Sequence, residues 1–500
     1  MEPLAATMTK ALPDESPELK SLQEALANLD GKMKEAVATR SSLIEKLHPS
    51  QKMSAENLIH YLALRNEDIR TLQDRLHICG LSSLASSESH IRRQLQAIME
   101  RLGKQIPAEE ISPYGYQEAR KLIKQRAEQL FGSKDDPEVP HIMITFDSEF
   151  GNDYQLVKRL LQAGMNVARI NCAHDSKEVW QNMVELVKTA SDKTGIPCKI
   201  YMDLAGPKIR TTILGKGKVK GKVALSVDEE ILFSEPDANY NPSEVVIGCD
   251  EPGVVNQVKK GDRVLFDEGL IEATVVAKHN GLATLKVIRI SSRKPQVKEK
   301  RGINLPDTRL SLPALTEHDR EALPFICENA DLIGYSFVRH PSDVMELQDA
   351  INTHNKKPFI ILKIETPEAV KNFPALLIQG MHQEVFGVMI ARGDLAVEIG
   401  FERMSEIQEE ILWISEAAHV PVVWATQVLE TLNKSGIATR SEITDASHAC
   451  MAECVMINKG EHILKVIETL RDILHRSGGH HVKKRYTFRP MQIASRYLMS

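Results

Sequence analysis

Five hundred residues are enough for about three domains of ordinary size, which excludes a single small module. Apolar residues make up 42% and charged residues 26%, with Gly 27 and Pro 23, so wholesale disorder and low-complexity repeats are excluded too. Sixty-three basic against sixty-eight acidic side chains leave a net charge of -5, which gives no global electrostatic ground for nucleic acid or an anionic membrane as partner.

From Glu18 to Leu47 the apolar positions Leu19, Leu22, Leu26, Leu29 and Met33 recur at steps of three and four, the period of an amphipathic helix, and Pro49 closes it. Ser54 is placed to N-cap a second helix with Leu58, Leu62, Ile69, Leu72 and Leu76 on one face and Gly80 as its C′ residue. A third runs from about Ser87 to Gly103 with Ile91, Leu95, Ile98 and Leu102. The polar segment SKDDPEVP, Ser133 to Pro140, reads as a linker. Residues 1–135 are therefore expected to be an N-terminal α-helical extension without a chemical motif, packed on the body or on another subunit.

After Pro140 the texture changes to short apolar runs separated by helical stretches. The runs are HIMITF from His141, NVARIN from Asn166, CKIYMDL from Cys198, LIGYSF from Leu332, FIILKIE from Phe359, FGVMIA from Phe386, PVVWATQ from Pro421 and CVMINK from Cys454. Strands alternating with helices predict an α/β fold, and eight such units suit a closed (β/α)8 TIM barrel better than an open sheet. Between about Thr211 and Gly302 the chain is β-rich instead and includes an Asn280-Gly281 hairpin signal, so a small β-barrel domain is expected inside the loop after strand three. The expected organisation is the extension at 1–135, the barrel at 136–211 and 303–476, the inserted β-rich domain at 212–302 and a C-terminal tail at 477–500.

No stretch approaches the ~18 apolar residues needed to cross a bilayer, and Met1 to Lys20 holds no apolar run of signal-peptide type, so a cytoplasmic protein is expected. The seven cysteines, Cys79, Cys172, Cys198, Cys249, Cys327, Cys450 and Cys454, are scattered without a CxxC pair and read as reduced thiols.

In a (β/α)8 barrel the active site lies at the carboxyl ends of the strands, and here those ends are rich in charge. Strand two ends in Arg169 and Asn171; strand three ends in Asp203, followed by Gly206, Lys208 and Arg210; strand five ends in Lys363 and Glu365. Strand six is followed by Arg392, Gly393 and Asp394, and strand seven ends in Thr426. Spacing by two sends Lys363 and Glu365 into one cavity, and likewise Arg169 and Asn171. Two carboxylates, Glu365 and Asp394, suit a hard divalent cation with open positions, while Arg169, Arg210 and Lys363 suit phosphate. A cation plus basic groups around a phosphate is the equipment of phosphoryl transfer; the bland alternative is a salt-bridged barrel rim. Neither GxxxxGK[ST] nor GxGxxG occurs, so any nucleotide must use the barrel mouth and the inserted domain.

The segments AGMNVARINCAH (Ala163 to His174), MDLAGPKIRT (Met202 to Thr211), INLPDTRLSLPALTEHD (Ile303 to Asp319), SFVR (Ser336 to Arg339), LKIE (Leu362 to Glu365), MIARGDLAVEI (Met389 to Ile399), WATQVLE (Trp424 to Glu430) and TRSEITDASHA (Thr439 to Ala449) resemble the pyruvate kinase family, in that family's order. The likeness covers about Pro140 to Arg476 and includes the inserted domain; the helical extension is outside the common pattern, and the family's carboxyl-terminal α/β domain has no counterpart in the tail. The resemblance implies the glycolytic transfer from phosphoenolpyruvate to ADP, giving pyruvate and ATP; a homo-oligomer is expected, without nucleic-acid or membrane partners. It implies Mg²⁺ or Mn²⁺ on Glu365 and Asp394, Lys363 on the transferring phosphoryl, Arg169 and Arg210 on phosphate oxygens, and the N–H groups of Gly393 and Asp394 on the substrate carboxylate. Thr426 would lie on the proton path, Asn171 and Arg210 on the nucleotide, and Asp267 or Glu268, on the inserted domain acting as a lid, within reach of it.

Departures from the family pattern bear on both cations and acceptor. The monovalent-cation site corresponds to Asn171, Ala173, Asp203 and Leu204, and lacks hydroxyls at Ala173 and Leu204. Lys208 stands where most members have Glu, a feature the family associates with working without K⁺, so K⁺ independence is expected. Ala205 replaces a Lys, ITFDSEF (Ile144 to Phe150) replaces a TIGPAS-like loop and NKGE (Asn458 to Glu461) an SGET-like loop. Two other readings stay open: a metal-dependent lyase or aldolase acting on a pyruvate-type enolate, and a catalytically weak scaffold.

Overall fold

The computed structural model describes residues 17–279, 281–291, 295–478, 481–482 and 485–486; Asn280 of the expected hairpin turn and most of the tail lie outside the described residues. The eight apolar runs form β1 His141–Phe146, β2 Val167–Asn171, β3 Lys199–Asp203, β4 Leu332–Tyr335, β5 Phe359–Ile364, β6 Gly387–Ala391, β7 Val422–Ala425 and β8 Cys454–Ile457. They are paired in parallel in the order β1-β8-β7-β6-β5-β4-β3-β2 and close into a barrel. Strands covered on both faces need no polar alternation, which is why these runs read as nearly continuous apolar sequence.

The barrel core is made by Met143, Val167, Tyr201, Leu332, Ile361, Met389, Val423 and Cys454, one from each strand, with Ala127, Leu130 and Phe131 packed against them. Leu130 and Phe131 are fully buried, and burial of each is worth about 1.5–3 kcal/mol. They lie at the end of a helix, Tyr116–Phe131, that the sequence reading did not assign.

Contacts divide the chain into two compact units. The first contains the described part of Met1–Gln125 together with Met381–Glu384 and Trp413–Val420. The second contains Arg126–Gly380, Val385–Leu412 and the described part of Pro421–Ser500, so its boundary precedes the linker at Ser133. In the first unit lie α1 Pro17–Ala38, α2 Lys52–Arg65, α3 Arg70–Ile78 and α4 Ile91–Arg101. Ser54 does not cap α2: it is buried inside the helix with its Oγ 3.0 Å from His419 Nδ1, while His48 caps the preceding turn Pro49–Gln51. The single helix expected from Ser54 to Gly80 is broken between Asn66 and Ile69, where Asp68 Oδ1 accepts the N–H of Arg70 at 3.2 Å.

In the second unit α5 Tyr154–Ala163, α6 Lys177–Thr194, α7 Glu317–Asn329, α8 Pro341–Asn352, α9 Arg392–Ile399, α10 Arg440–His448 and α11 Ile463–Gly478 follow or join the strands. The segment between β3 and β4 adds a seven-stranded sheet running from Thr211–Ile213 to Ile303–Asn304, with its own core around Phe233, Val264, Phe266 and Val287. Backbone hydrogen bonds tie its outgoing and returning ends into one neck. Thr211 N–H reaches Arg301 O at 2.7 Å, Lys300 N–H reaches Thr211 O at 2.8 Å and Ile303 N–H reaches Ile209 O at 2.9 Å.

Candidate active site

Spacing by two puts Lys363 and Glu365 on one side of the end of β5, and the parallel register sets Asn171 level with Asp203 across β2 and β3. Arg169, Asp203, Lys363 and Glu365 are 9%, 0%, 8% and 2% exposed, so their charges are buried together. Arg169 Nε donates to Asp203 Oδ2 at 3.1 Å, its Nη2 bonds the same oxygen, and its Nη1 donates to Thr145 Oγ1 at 3.0 Å. Lys363 Nζ lies 3.2 Å from Asp203 Oδ2 and 3.1 Å from Glu365 Oε1, and donates to Ser336 Oγ at 2.6 Å. The Tyr201 hydroxyl donates to Asp203 Oδ1 at 3.0 Å, and Phe337 N–H donates to Glu365 Oε2 at 2.6 Å.

Burial works against each of these charges, and the neighbours decide the outcome. It pushes Asp203 up, yet Lys363 and Arg169 together hold that carboxyl below the usual range. It pulls Lys363 down, yet Asp203 and Glu365 keep the ammonium above its ordinary value. Glu365 ends up raised: burial leads, Lys363 offsets part of it and the like charge of Asp394 adds to it. Of the two carboxylates that share Lys363, Asp203 is the more firmly ionised.

Asp394 lies in the first turn of α9, and both its oxygens accept from Lys208 Nζ, Oδ1 at 2.9 Å and Oδ2 at 3.2 Å. The sequence grouped Lys208 with Asn171 and Asp203; the structure rests its ammonium on Asp394. Asp203 is held by Arg169 and Lys363, and Asn171 Oδ1 accepts the N–H of Ala173 at 3.1 Å. Thr426, with φ of 65°, turns its Oγ1 to accept Gly393 N–H at 2.7 Å. Non-glycine residues in the left-handed region concentrate strain of about 1–3 kcal/mol each, and Phe337 at 55° is another at this mouth. Arg210 is outside the buried cluster, on the neck of the inserted sheet, with its N–H on Asp250 Oδ1 at 2.6 Å. Its charge still reaches the mouth: burial holds His174 below its ordinary value, and Arg210, Lys459 and Arg169 add to that. Asp267 and Glu268 form the turn between Arg263–Phe266 and Ile271–His279, with Asp267 3.8 Å from Arg301.

A family model for the pyruvate kinase barrel domain matches residues 141–462. The chain belongs to the pyruvate kinase family. A pyruvate kinase of Bacillus licheniformis is 32% identical over 329 residues, covering 64% of this chain and 54% of that protein. One from Staphylococcus aureus is 31% identical over 326 residues, with the same coverage. The crystal structure of a pyruvate kinase from Cryptosporidium parvum superposes with a TM-score of 0.61 at 26% identity, covering 70% of this chain and 72% of that one. The chain spans about half the length of the curated relatives it matches.

Within this pyruvate kinase barrel several contributors were given no role from sequence. Ser336 anchors Lys363 and also donates to Leu204 O at 2.7 Å. Asp319 closes a capping box with Thr316 and accepts the N–H of Ala205 at 2.9 Å and of Gly206 at 3.2 Å, fixing the chain as it leaves β3. The T-x-x-D spacing in LTEHD was the available signal. Arg392 bonds Ala425 O at 2.9 Å and Thr426 O at 2.7 Å, pairs with Asp445 and stacks over Trp424, so it braces β6 against β7. The two loops that depart from the family pattern meet through Lys459 and Asp147, 2.6 Å apart.

The fit of a divalent cation rests on Glu365 and Asp394. Both offer hard carboxylate oxygens; burial raises Glu365 and the like charge of Asp394 adds to that, a repulsion such a cation would relieve. Among the described residues no group of three or more His, Cys, Asp or Glu is arranged to hold a metal, so the remaining ligands would be substrate and water oxygens.

Proposed function

We propose that this barrel transfers the phosphoryl group of phosphoenolpyruvate to ADP, giving pyruvate and ATP, without a requirement for K⁺. The observation that carries the reading is the buried cluster of Arg169, Asp203, Lys363 and Glu365 next to Asp394, a preorganised set of charges at the mouth of a pyruvate kinase barrel. Mg²⁺ or Mn²⁺ on Glu365 and Asp394 would supply charge neutralisation for the substrate oxygens.

The chain's own groups do the rest. Lys363, held by Ser336 and two carboxylates, stabilises charge on the transferring group, and Arg169 and Arg210 orient phosphate oxygens, Arg210 with Asn171 on the nucleotide side. The substrate carboxylate takes Gly393 N–H from Thr426 and is met by Asp394 N–H at the start of α9. As the bond from phosphorus to the enol oxygen breaks, one forms to a terminal oxygen of ADP, and the enolate carbon takes a proton along a path that includes the Thr426 hydroxyl. Lys208 provides the positive charge that replaces K⁺ once substrate and divalent cation are bound.

Pyruvate formation from phosphoenolpyruvate with ADP and Mg²⁺, with and without K⁺, tests this. Turnover is expected to need ADP, to vary less than about twofold with K⁺ and to fall by about 100-fold or more in Lys363→Met. Turnover without ADP would favour a lyase, and strong activation by K⁺ would remove the role given to Lys208. No turnover in a protein that binds Mn²⁺ would overturn the reaction.

A further inference from the structure

We infer that Lys208 is a built-in competitor for the divalent-cation site: in the free protein its ammonium occupies Asp394, and the cation binds tightly only when an anionic substrate accompanies it. The inference rests on the proposed metal role of Glu365 and Asp394. Its first support is geometry. Both oxygens of Asp394 are taken by one Nζ, at 2.9 and 3.2 Å, from a residue 186 positions away on the segment leading from β3 to the inserted sheet. The lysine stem is accommodated on the returning segment by Gly302, where a Cβ would lie 3.3 Å from Lys208 Cε.

The second support is the balance of charge. Asp203, Glu365 and Asp394 face Arg169, Lys363 and Lys208 through direct ion pairs, three against three. A divalent cation entering this balanced set leaves an excess of two positive charges. Phosphoenolpyruvate brings the negative charge that accommodates both the cation and the released ammonium. The third support is access. The side chains of Lys208 and Asp394 are 29% and 23% exposed, against 10% and 3% for Lys363 and Glu365, so the outer pair is the one that can open. Because binding linkage is reciprocal, cation and anion should strengthen each other.

Mn²⁺ titration followed by electron paramagnetic resonance reads this without turnover, using the full chain, Lys208→Met and Lys208→Glu, each with and without phosphoenolpyruvate and with ADP left out. Without the anion, Lys208→Met should bind Mn²⁺ about tenfold more tightly than the native chain and Lys208→Glu more tightly still, since the first change removes a positive charge beside the site and the second adds a negative one. Phosphoenolpyruvate should tighten Mn²⁺ binding about tenfold or more in the native chain and less in Lys208→Met. Equal Mn²⁺ affinities in all three proteins, with binding present, would overturn this inference and leave the proposed reaction standing. Absence of Mn²⁺ binding in every protein, with the anion present, would overturn the metal reading itself. Circular dichroism of the two variants separates either result from misfolding.

Discussion

Glu398, near the end of α9, shares a cleft with Lys208, Asn304, Arg339 and Glu368, and its Oε1 accepts from Asn304 Nδ2 at 2.7 Å. Burial pushes its carboxyl up to about 7; Asn304 pulls against this, while Asp394 and Glu368 add to it. A glutamate in an unfolded chain ionises near about 4.3, so between that pH and about 7 the folded chain binds more protons than the unfolded one. Stability contributed by this residue therefore falls as pH rises through that window and levels off above it. The residue is partly accessible, which discounts the effect to on the order of 1–3 kcal/mol. Glu398→Gln keeps an oxygen for Asn304 and removes the charge. It should match the native chain in urea unfolding at pH 5 and exceed it at pH 8. A variant that is equally destabilised at both values would show that Glu398 acts through its hydrogen bond alone.

The elements around the mouth are set by the connection leaving β3. Gly206 has φ of +64°, and a Cβ there would lie 2.9 Å from both Ser336 Cβ and Phe337 Cδ2. Gly206→Ala thus combines a left-handed backbone with a close contact and should cost about 1–3 kcal/mol in thermal or chemical unfolding. Since Ser336 holds Lys363, kcat should fall with it, whereas Gly253→Ala, strained at φ of +80° but in open space, should lose stability without losing kcat. The barrel elements were legible because eight apolar runs of strand length are bounded by helical stretches, and the strand-end charges because spacing by two fixes their direction. Contacts between distant segments were not legible. Lys208 on Asp394 and Arg169 on Asp203 depend on which strand ends meet, and no local period encodes that. In the first unit the same local rules misplaced Ser54, because a buried serine bonded to His419 and an exposed N-cap serine look alike in sequence, and they ran α2 into α3 because apolar spacing continues across the break at Asp68.

At the scale of the whole molecule, the first unit is assembled from separated stretches of chain, and this decides how the protein responds to truncation. Asn57 Nδ2 donates to Ala417 O at 2.8 Å and to Glu88 O at 2.8 Å. His419, fully buried, has Nδ1 3.0 Å from Ser54 Oγ and Nε2 2.7 Å from Ser89 O. Gln51 Nε2 donates to Glu384 O at 2.8 Å, and His48 N–H to Met381 O at 3.0 Å. A chain beginning at 136, the boundary that composition suggests, would keep 381–384 and 413–420 but lose Ser54, Asn57, Ser89 and Gln51. It would also lose Ala127, Leu130 and Phe131 from the barrel core. Each buried polar group left without its partner costs about 1–3 kcal/mol, and each lost core side chain about 2–5 kcal/mol, against a total stability of about 5–15 kcal/mol for a typical domain. That truncated chain should therefore be largely insoluble or lack a cooperative melt, measured beside the full chain by soluble yield and calorimetry. A chain from 136 that melts cooperatively near the temperature of the full protein would show that the barrel needs neither the helical extension nor the side chains of Ala127, Leu130 and Phe131.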